Sequence, residues 1–126
     1  MAKYFVGIDW GKEKCGMALA DDETRIATGS KLVKMENILS ELQEMKNNFL
    51  ISKVIIGFSD FGENKKKVEN LIEKIREKGF VVEKEREDFS TKMAHSNLKE
   101  AGFENLSKKD DVESARIILQ SWLDRN

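Results

Sequence analysis

Three acidic residues stand at points where the chain could free them for chemistry. Asp9 closes an apolar run in Gly7-Ile8-Asp9-Trp10-Gly11. A glycine on each side lets the backbone turn sharply and lets a bulky ligand approach. Glu87 sits in Glu85-Arg86-Glu87-Asp88-Phe89-Ser90-Thr91, and Asp111 follows Lys108-Lys109-Asp110 at the start of a helical stretch. There the helix dipole favours an ionised carboxylate. Taken one at a time, such acids read as solvated surface groups, and their spacing alone does not set them apart. Brought together they would repel one another. Hard divalent cations with oxygen ligands relieve that repulsion, Mg²⁺ being the usual choice and Mn²⁺ a substitute. A pair of such ions about 4 Å apart can activate a water and stabilise a leaving oxygen in phosphodiester cleavage.

The elements that must position these acids follow from hydrophobic patterning. Tyr4 to Ile8 is a short apolar run that reads as a buried strand, Cys15 to Ala20 as a second and Arg25 to Val33 as a third. The turns between them are short, which predicts an antiparallel meander. Ile38, Leu39, Leu42 and Met45 fall at helical spacing, giving a helix over about Glu36–Asn47. Lys53 to Phe58 is apolar on both faces, as a central parallel strand covered by helices would be. A second helix is expected over Asn64–Lys78, stopped by Gly79, then a fifth strand from Phe80 to about Glu85. A third helix is expected over Ser90–Ala101. Ser107-Lys108-Lys109-Asp110 fits a capping box opening a last helix to about Asp124, with Val112, Ala115, Leu119 and Trp122 on its buried stripe. The order β-β-β-α-β-α-β-α-α predicts an α/β fold with a mixed sheet and helices on both faces. The first strand would be central, and ligand sites of open α/β sheets lie at the carboxyl ends of the strands.

Composition bounds the alternatives. At 126 residues the chain fits one domain, residues 1–126. Hydrophobic residues make up 40%, too many and too regularly placed for a disordered chain. No apolar run approaches the roughly 18–20 residues of a membrane span. The opening Met1-Ala2-Lys3-Tyr4 shows no signal-peptide pattern, so the cytoplasm is the expected location. Cys15 is the only cysteine, which excludes an intramolecular disulfide and an all-cysteine metal site. With 22 basic and 23 acidic residues the formal charge is −1. Binding to a polyanion must therefore rely on local basic patches or on metal ions.

These motifs carry a family resemblance. Gly7 to Asp21, G-I-D-W-G-K-E-K-C-G-M-A-L-A-D, resembles the opening G-x-D-x-G-x-x-R-x-G-x-A-x-x-D of the YqgF/RuvX family of ribonuclease H-like proteins, with Lys14 at the Arg position. Ile55-Ile56-Gly57 resembles its central V-V-G, and Glu87-Asp88-Phe89-Ser90-Thr91 its E-R-L-T-T. Lys108 to Leu123 resembles its closing D-x-x-A-A-x-x-I-L-Q-x-x-L, with Asp111 at the acidic position. The resemblance covers nearly the whole chain. It implies a five-stranded mixed sheet of ribonuclease H type, an acidic triad of Asp9, Glu87 and Asp111 binding Mg²⁺, and nuclease chemistry. Members are described as Holliday junction resolvases and as nucleases trimming the 5′ end of precursor 16S rRNA. The chain departs from the pattern at Asp88, where the family has Arg, at Phe58, where a proline normally follows the central glycine motif, and at Ser114, which replaces an alanine. A slip on the fifth strand would recruit Glu85 instead, since Glu85-Arg86 preserves an acid–Arg pair. Residues 85 and 87 would share a strand face, and the spacing to Ser90-Thr91 favours Glu87.

Several other side chains have both a functional and a plain reading. Lys12 and Lys14, and Lys108 and Lys109, could meet substrate phosphates or simply be solvated. Ser90 and Thr91 could orient Glu87 or bind phosphate at a helix start, or cap that helix. Trp10 could stack on a base or pack over the strand end. Lys65-Lys66-Lys67 and His95 read as surface, Cys15 as core filling, and Asp60 and Asp110 as surface or capping groups. The expected function is an Mg²⁺-dependent nuclease, most directly in 5′-end maturation of precursor 16S rRNA. A Holliday junction resolvase, or a non-catalytic RNA-binding or regulatory factor of the same fold, are the alternatives. The partner is nucleic acid, either precursor rRNA or branched DNA, with the protein a monomer or weak homodimer and no membrane involved.

Overall fold

The computed structural model describes residues 3–58, 65–86 and 107–126. Three strands open it: β1 (Lys3–Asp9), β2 (Lys14–Asp21) and β3 (Thr28–Lys34). A single 3₁₀ turn (Met35–Asn37) leads into α1 (Ile38–Asn48), followed by β4 (Leu50–Phe58), α2 (Lys65–Glu77), β5 (Val82–Arg86) and a last helix, α3 (Ser107–Arg125). The helix expected over Ser90–Ala101 lies outside the described residues.

The strands form one five-stranded sheet in the order β3-β2-β1-β4-β5. β1 pairs antiparallel with β2 and parallel with β4, β2 pairs antiparallel with β3, and β4 pairs parallel with β5. The mixed sheet with β1 at its centre, expected from the meander followed by αβ units, is the architecture found. Boundaries moved where side chains overrode pattern. β3 starts at Thr28 rather than Arg25, because Arg25 turns into the left-handed region (φ 54°). Gln120 then holds that connection, accepting the Ala27 N–H at 2.8 Å and donating to the Arg25 carbonyl at 3.2 Å. β4 starts early, at Leu50, because Leu50 and Ile51 pair with Lys3 and Tyr4 ahead of a bulge at Tyr4/Phe5. β5 opens at Val82, two residues after Phe80, which is buried in the core instead.

Strand alternation divides the core. Val6, Ile8, Cys15, Met17, Val54, Ile56 and Val82 face α1 and α2, meeting Ile38, Leu42, Val68, Leu71, Ile72 and Ile75. Phe5, Ala18, Ala20 and Ile55 face α3, meeting Ala115, Ile118, Leu119, Trp122 and Leu123. Val112, expected on the buried stripe, is only half-buried, whereas Ser114 is fully buried. The small Ser114 side chain fits the small-residue position it fills. No described helix is long and apolar enough to cross a membrane.

α3 lies unusually low on the sheet. A Cβ on Gly7 would stand 2.7 Å from Leu119 Cβ, and one on Gly16 would stand 2.0 Å from the Asp111 carbonyl oxygen. Real Cβ atoms do not approach backbone that closely, so glycine is required at both positions for the helix to settle.

Candidate active site

The register of the sheet sets the site. Asp9 is the last residue of β1 and pairs with Gly16 on β2 and Gly57 on β4, which in turn pairs with Glu85 on β5. The row Gly16–Asp9–Gly57–Glu85 therefore crosses four strands. Alternation turns it toward α3, since the Cβ directions of Gly16 and Gly57 point at Asp111 and Ile118. Asp9 is 7% exposed, at the carboxyl end of a central strand. Asp111 is half-buried in the first turns of α3, where the helix dipole favours its charge. The missing side chain at Gly16 lets the Asp111 backbone rest on the strand residue paired with Asp9. Two of the three acids singled out in the sequence are thus brought to one end of the sheet, and the third, Glu87, lies outside the described residues.

Cys15, one residue before Gly16, reports on this charge from the opposite face of β2. It is fully buried, and its thiol is pushed up to about 11, first by burial and then by the nearby negative charges of Asp9 and Asp111, against a backbone hydrogen bond from Gly11 that lowers it. Cys15 packs into the core on the α1–α2 side, away from the face that carries Asp9. The donors that remain, Asp9 and Asp111, are hard oxygens, the donor set suited to Mg²⁺ or Mn²⁺. Among the described residues no three His, Cys, Asp or Glu side chains form a metal-holding group.

Glu85, the alternative second acid, lies on β5. It is 2% exposed and ion-paired with Arg125 near the end of α3. That partner fastens the helix to β5. Beside it Lys53 bridges to Glu83 at 2.7 Å and lies 5.3 Å from the centre of the Trp122 ring. Both acids of β5 that face α3 are therefore engaged in holding the helix.

Lys12 is exposed on the β1–β2 connection and Lys14 at the start of β2. With Gly11, Glu13 and Asp111 they line an open groove of about 410 Å³. Glu13 was not singled out by sequence, and nothing but its place in that connection could have signalled it. Lys108 and Lys109 lie in the first turn of α3. Ser90, Thr91, Asp88, His95 and Asp60 fall outside the described residues. Trp10 is half-buried and packs against the core on the α1–α2 side. Lys65, Lys66 and Lys67 are exposed at the start of α2.

Comparisons with known proteins place the chain in a family and a fold. A protein of Ruminiclostridium cellulolyticum named "Putative pre-16S rRNA nuclease" is 31% identical over 132 residues, covering 95% of this chain and 93% of that one. Relatives with the same name from Bacteroides fragilis (31% identical; 94% of each chain) and Anaeromyxobacter sp. (30%; 95% and 96%) are similarly close. Among solved structures, the Fowlpox virus resolvase in complex with substrate Holliday junction DNA superposes with a TM-score of 0.60 at 12% identity, covering 97% of each chain. T. thermophilus RuvC in complex with a Holliday junction substrate also gives 0.60, at 16% identity, covering 97% of this chain and 94% of that one. At such identities these two establish the fold. The family model described as RuvX, Holliday junction resolvase, matches residues 3–125. With that match spanning nearly every residue, the chain belongs to the RuvX Holliday junction resolvase family.

Proposed function

We propose that this chain is a divalent-cation-dependent nuclease that hydrolyses phosphodiester bonds, acting in 5′-end maturation of precursor 16S rRNA in the cytoplasm. The observation that carries the reading is the apposition of Asp9 and Asp111 through Gly16, two hard oxygen donors at the carboxyl end of the central strand. The names of relatives at about 31% identity supply the substrate. Asp9, Asp111 and, on its spacing, Glu87 would hold Mg²⁺, with Mn²⁺ as a substitute. Glu87 lies two positions beyond Glu85, which shares the row of Asp9.

A divalent cation bound there supplies charge stabilisation to the scissile phosphate and a nucleophile at neutral pH. The chain's own residues do the positioning. The sheet fixes Asp9, buried between two paired neighbours, and the seat of α3 on Gly16 fixes Asp111. Lys12 and Lys14, exposed along the same groove, bind the phosphates flanking the scissile bond, with Lys108 and Lys109 at the start of α3 and Ser90 and Thr91 completing the contact. Asp88 places an anion where the family has Arg, so these lysines carry the phosphate contact that the Arg would make.

The test compares the parent protein with Asp9→Asn and Asp111→Asn on a precursor 16S rRNA fragment, linear RNA and a four-way DNA junction, with Mg²⁺ or with chelator. The expected result is Mg²⁺-dependent cleavage of the rRNA precursor, lowered at least about a hundredfold in either variant, with melting temperature retained. Undiminished Mg²⁺-dependent hydrolysis by Asp9→Asn overturns the assignment. Binding with no turnover under any condition identifies a non-catalytic RNA-binding factor instead. The family description and the junction-bound structural neighbours favour a second reading, junction resolution. That activity calls for a two-fold dimer cutting two strands symmetrically. Paired incisions by a dimer, with the rRNA precursor left intact, would select it.

A further inference from the structure

A second groove, of about 380 Å³, opens on the other side of the β1–β2 connection from α3. Among the described residues its lining includes the apolar Trp10, Met35 and Leu39, and three cations, Lys12, Lys67 and Lys74, against one carboxylate, Glu36. Lys12 also lines the groove beside Asp111, so the two are continuous through that residue. Lys67 and Lys74 are exposed and seven positions apart on α2, two turns along one face, with the buried Leu71 between them.

We propose that this groove binds an unpaired nucleotide of the substrate strand next to the scissile phosphate, its base against Trp10 and its phosphates on Lys67 and Lys74. Three features select that occupant. The volume lies in the range of small-ligand sites, about 300–1,000 Å³. An aromatic ring beside an apolar floor accepts any base face, since base–aromatic stacking tolerates every sequence. Among the described lining residues the excess of two positive charges suits a polyanion and disfavours a cation. Asp9 and Trp10 turn to opposite faces of the sheet, and Lys12, which lines both grooves, links them, so a strand whose phosphate reaches Asp9 passes over Lys12 to reach Trp10. The inference rests on the nuclease reading and specifies its substrate: a strand single-stranded at the position flanking the cleavage site.

The test uses binding in an Asp9→Asn background, where the strand is not consumed, with a labelled single-stranded RNA oligonucleotide, a DNA oligonucleotide of the same sequence, and a blunt RNA duplex. Adding Trp10→Ala is expected to weaken single-strand binding about tenfold while Trp10→Phe keeps most of it. Adding Lys67→Ala and Lys74→Ala is expected to flatten the slope of log K against log salt by about 1.4. Neither change alters affinity for the blunt duplex. Lys67 and Lys74 are exposed, so their double variant keeps the test open if Trp10→Ala fails to fold. Unchanged single-strand affinity and slope in the lysine variant, or equal losses on single strand and duplex, overturn the proposal. Cleavage by the wild-type chain is followed in parallel: its absence counts against the nuclease reading, whereas cleavage with an indifferent groove counts against the groove alone.

Discussion

At the scale of single residues, the end of the central strand combines a buried thiol with two carboxylates. Cys15 holds its proton up to about 11, whereas an ordinary thiol releases it near 9.0. The folded state therefore binds the proton more tightly than the unfolded chain. Its stabilising contribution is fully present below about pH 9 and is lost as pH rises from 9.0 to about 11. At the upper end the loss amounts to about 2–3 kcal/mol. Urea midpoints measured from pH 8 to 11 should fall for the parent protein and fall less for Cys15→Ala; the difference between the two curves isolates this thiol. Parallel curves would mean that burial does not govern the thiol. At this scale the sequence was informative about Asp9 and Asp111, because a strand end flanked by glycines and a helix start are recognisable in one dimension. It was silent on Lys74 and Glu13, whose relevance comes only from a neighbouring element. Glu85 was an open alternative on the sheet face, and its pairing with Arg125, forty residues away in the chain, is a tertiary fact that no local pattern contains.

At the scale of elements, the site depends on how closely α3 approaches the sheet. The helix was legible as a buried stripe, and its small residues made sense once Ser114 and Ala115 proved to be fully buried. What the stripe could not reveal was the glycine path beneath it, since Gly16 reads in sequence as a weak spot in a strand rather than as a seat for a helix backbone. Gly16→Ala tests that seat. Its Cβ would stand 2.0 Å from the Asp111 carbonyl oxygen and 2.8 Å from the Val112 nitrogen. Neither is the far end of a flexible side chain, so the start of α3 must lift. Overpacking of this kind costs about 1–3 kcal/mol or more, and it carries Asp111 away from Asp9. The variant should show a lowered urea midpoint and, at temperatures where it remains folded, a loss of Mg²⁺-dependent cleavage approaching that of Asp111→Asn. A folded Gly16→Ala protein with parental activity would separate the helix seat from the chemistry. The same scale explains the misplaced start of β3: Arg25 was read as strand from its neighbours, but Gln120 from α3 takes the Ala27 N–H and the Arg25 carbonyl and holds a turn there.

At the scale of the whole molecule, charge decides how a nearly neutral protein can hold a polyanion. The formal charge of −1 gives no general attraction to nucleic acid. Affinity must then be concentrated where lysines gather at one end of the sheet. Lys12 lies on the β1–β2 connection, Lys14 at the start of β2, Lys108 and Lys109 in the first turn of α3, and Lys67 and Lys74 along the adjoining groove. Each cation that neutralises a phosphate of a single strand releases about 0.7 of a counterion. A short oligonucleotide that reaches only the first four lysines should therefore show a slope of log K against log salt of about −3. A longer one that continues into the groove should steepen this to about −4. Anisotropy titrations with oligonucleotides of increasing length, at fixed Mg²⁺ and varied KCl, measure both. The step between lengths should vanish in Lys67→Ala with Lys74→Ala and persist in Lys14→Ala, which lowers both slopes by about 0.7. A slope that grows evenly with length, with no step, would mean that the strand follows a diffuse surface rather than the path from Asp9 past Trp10.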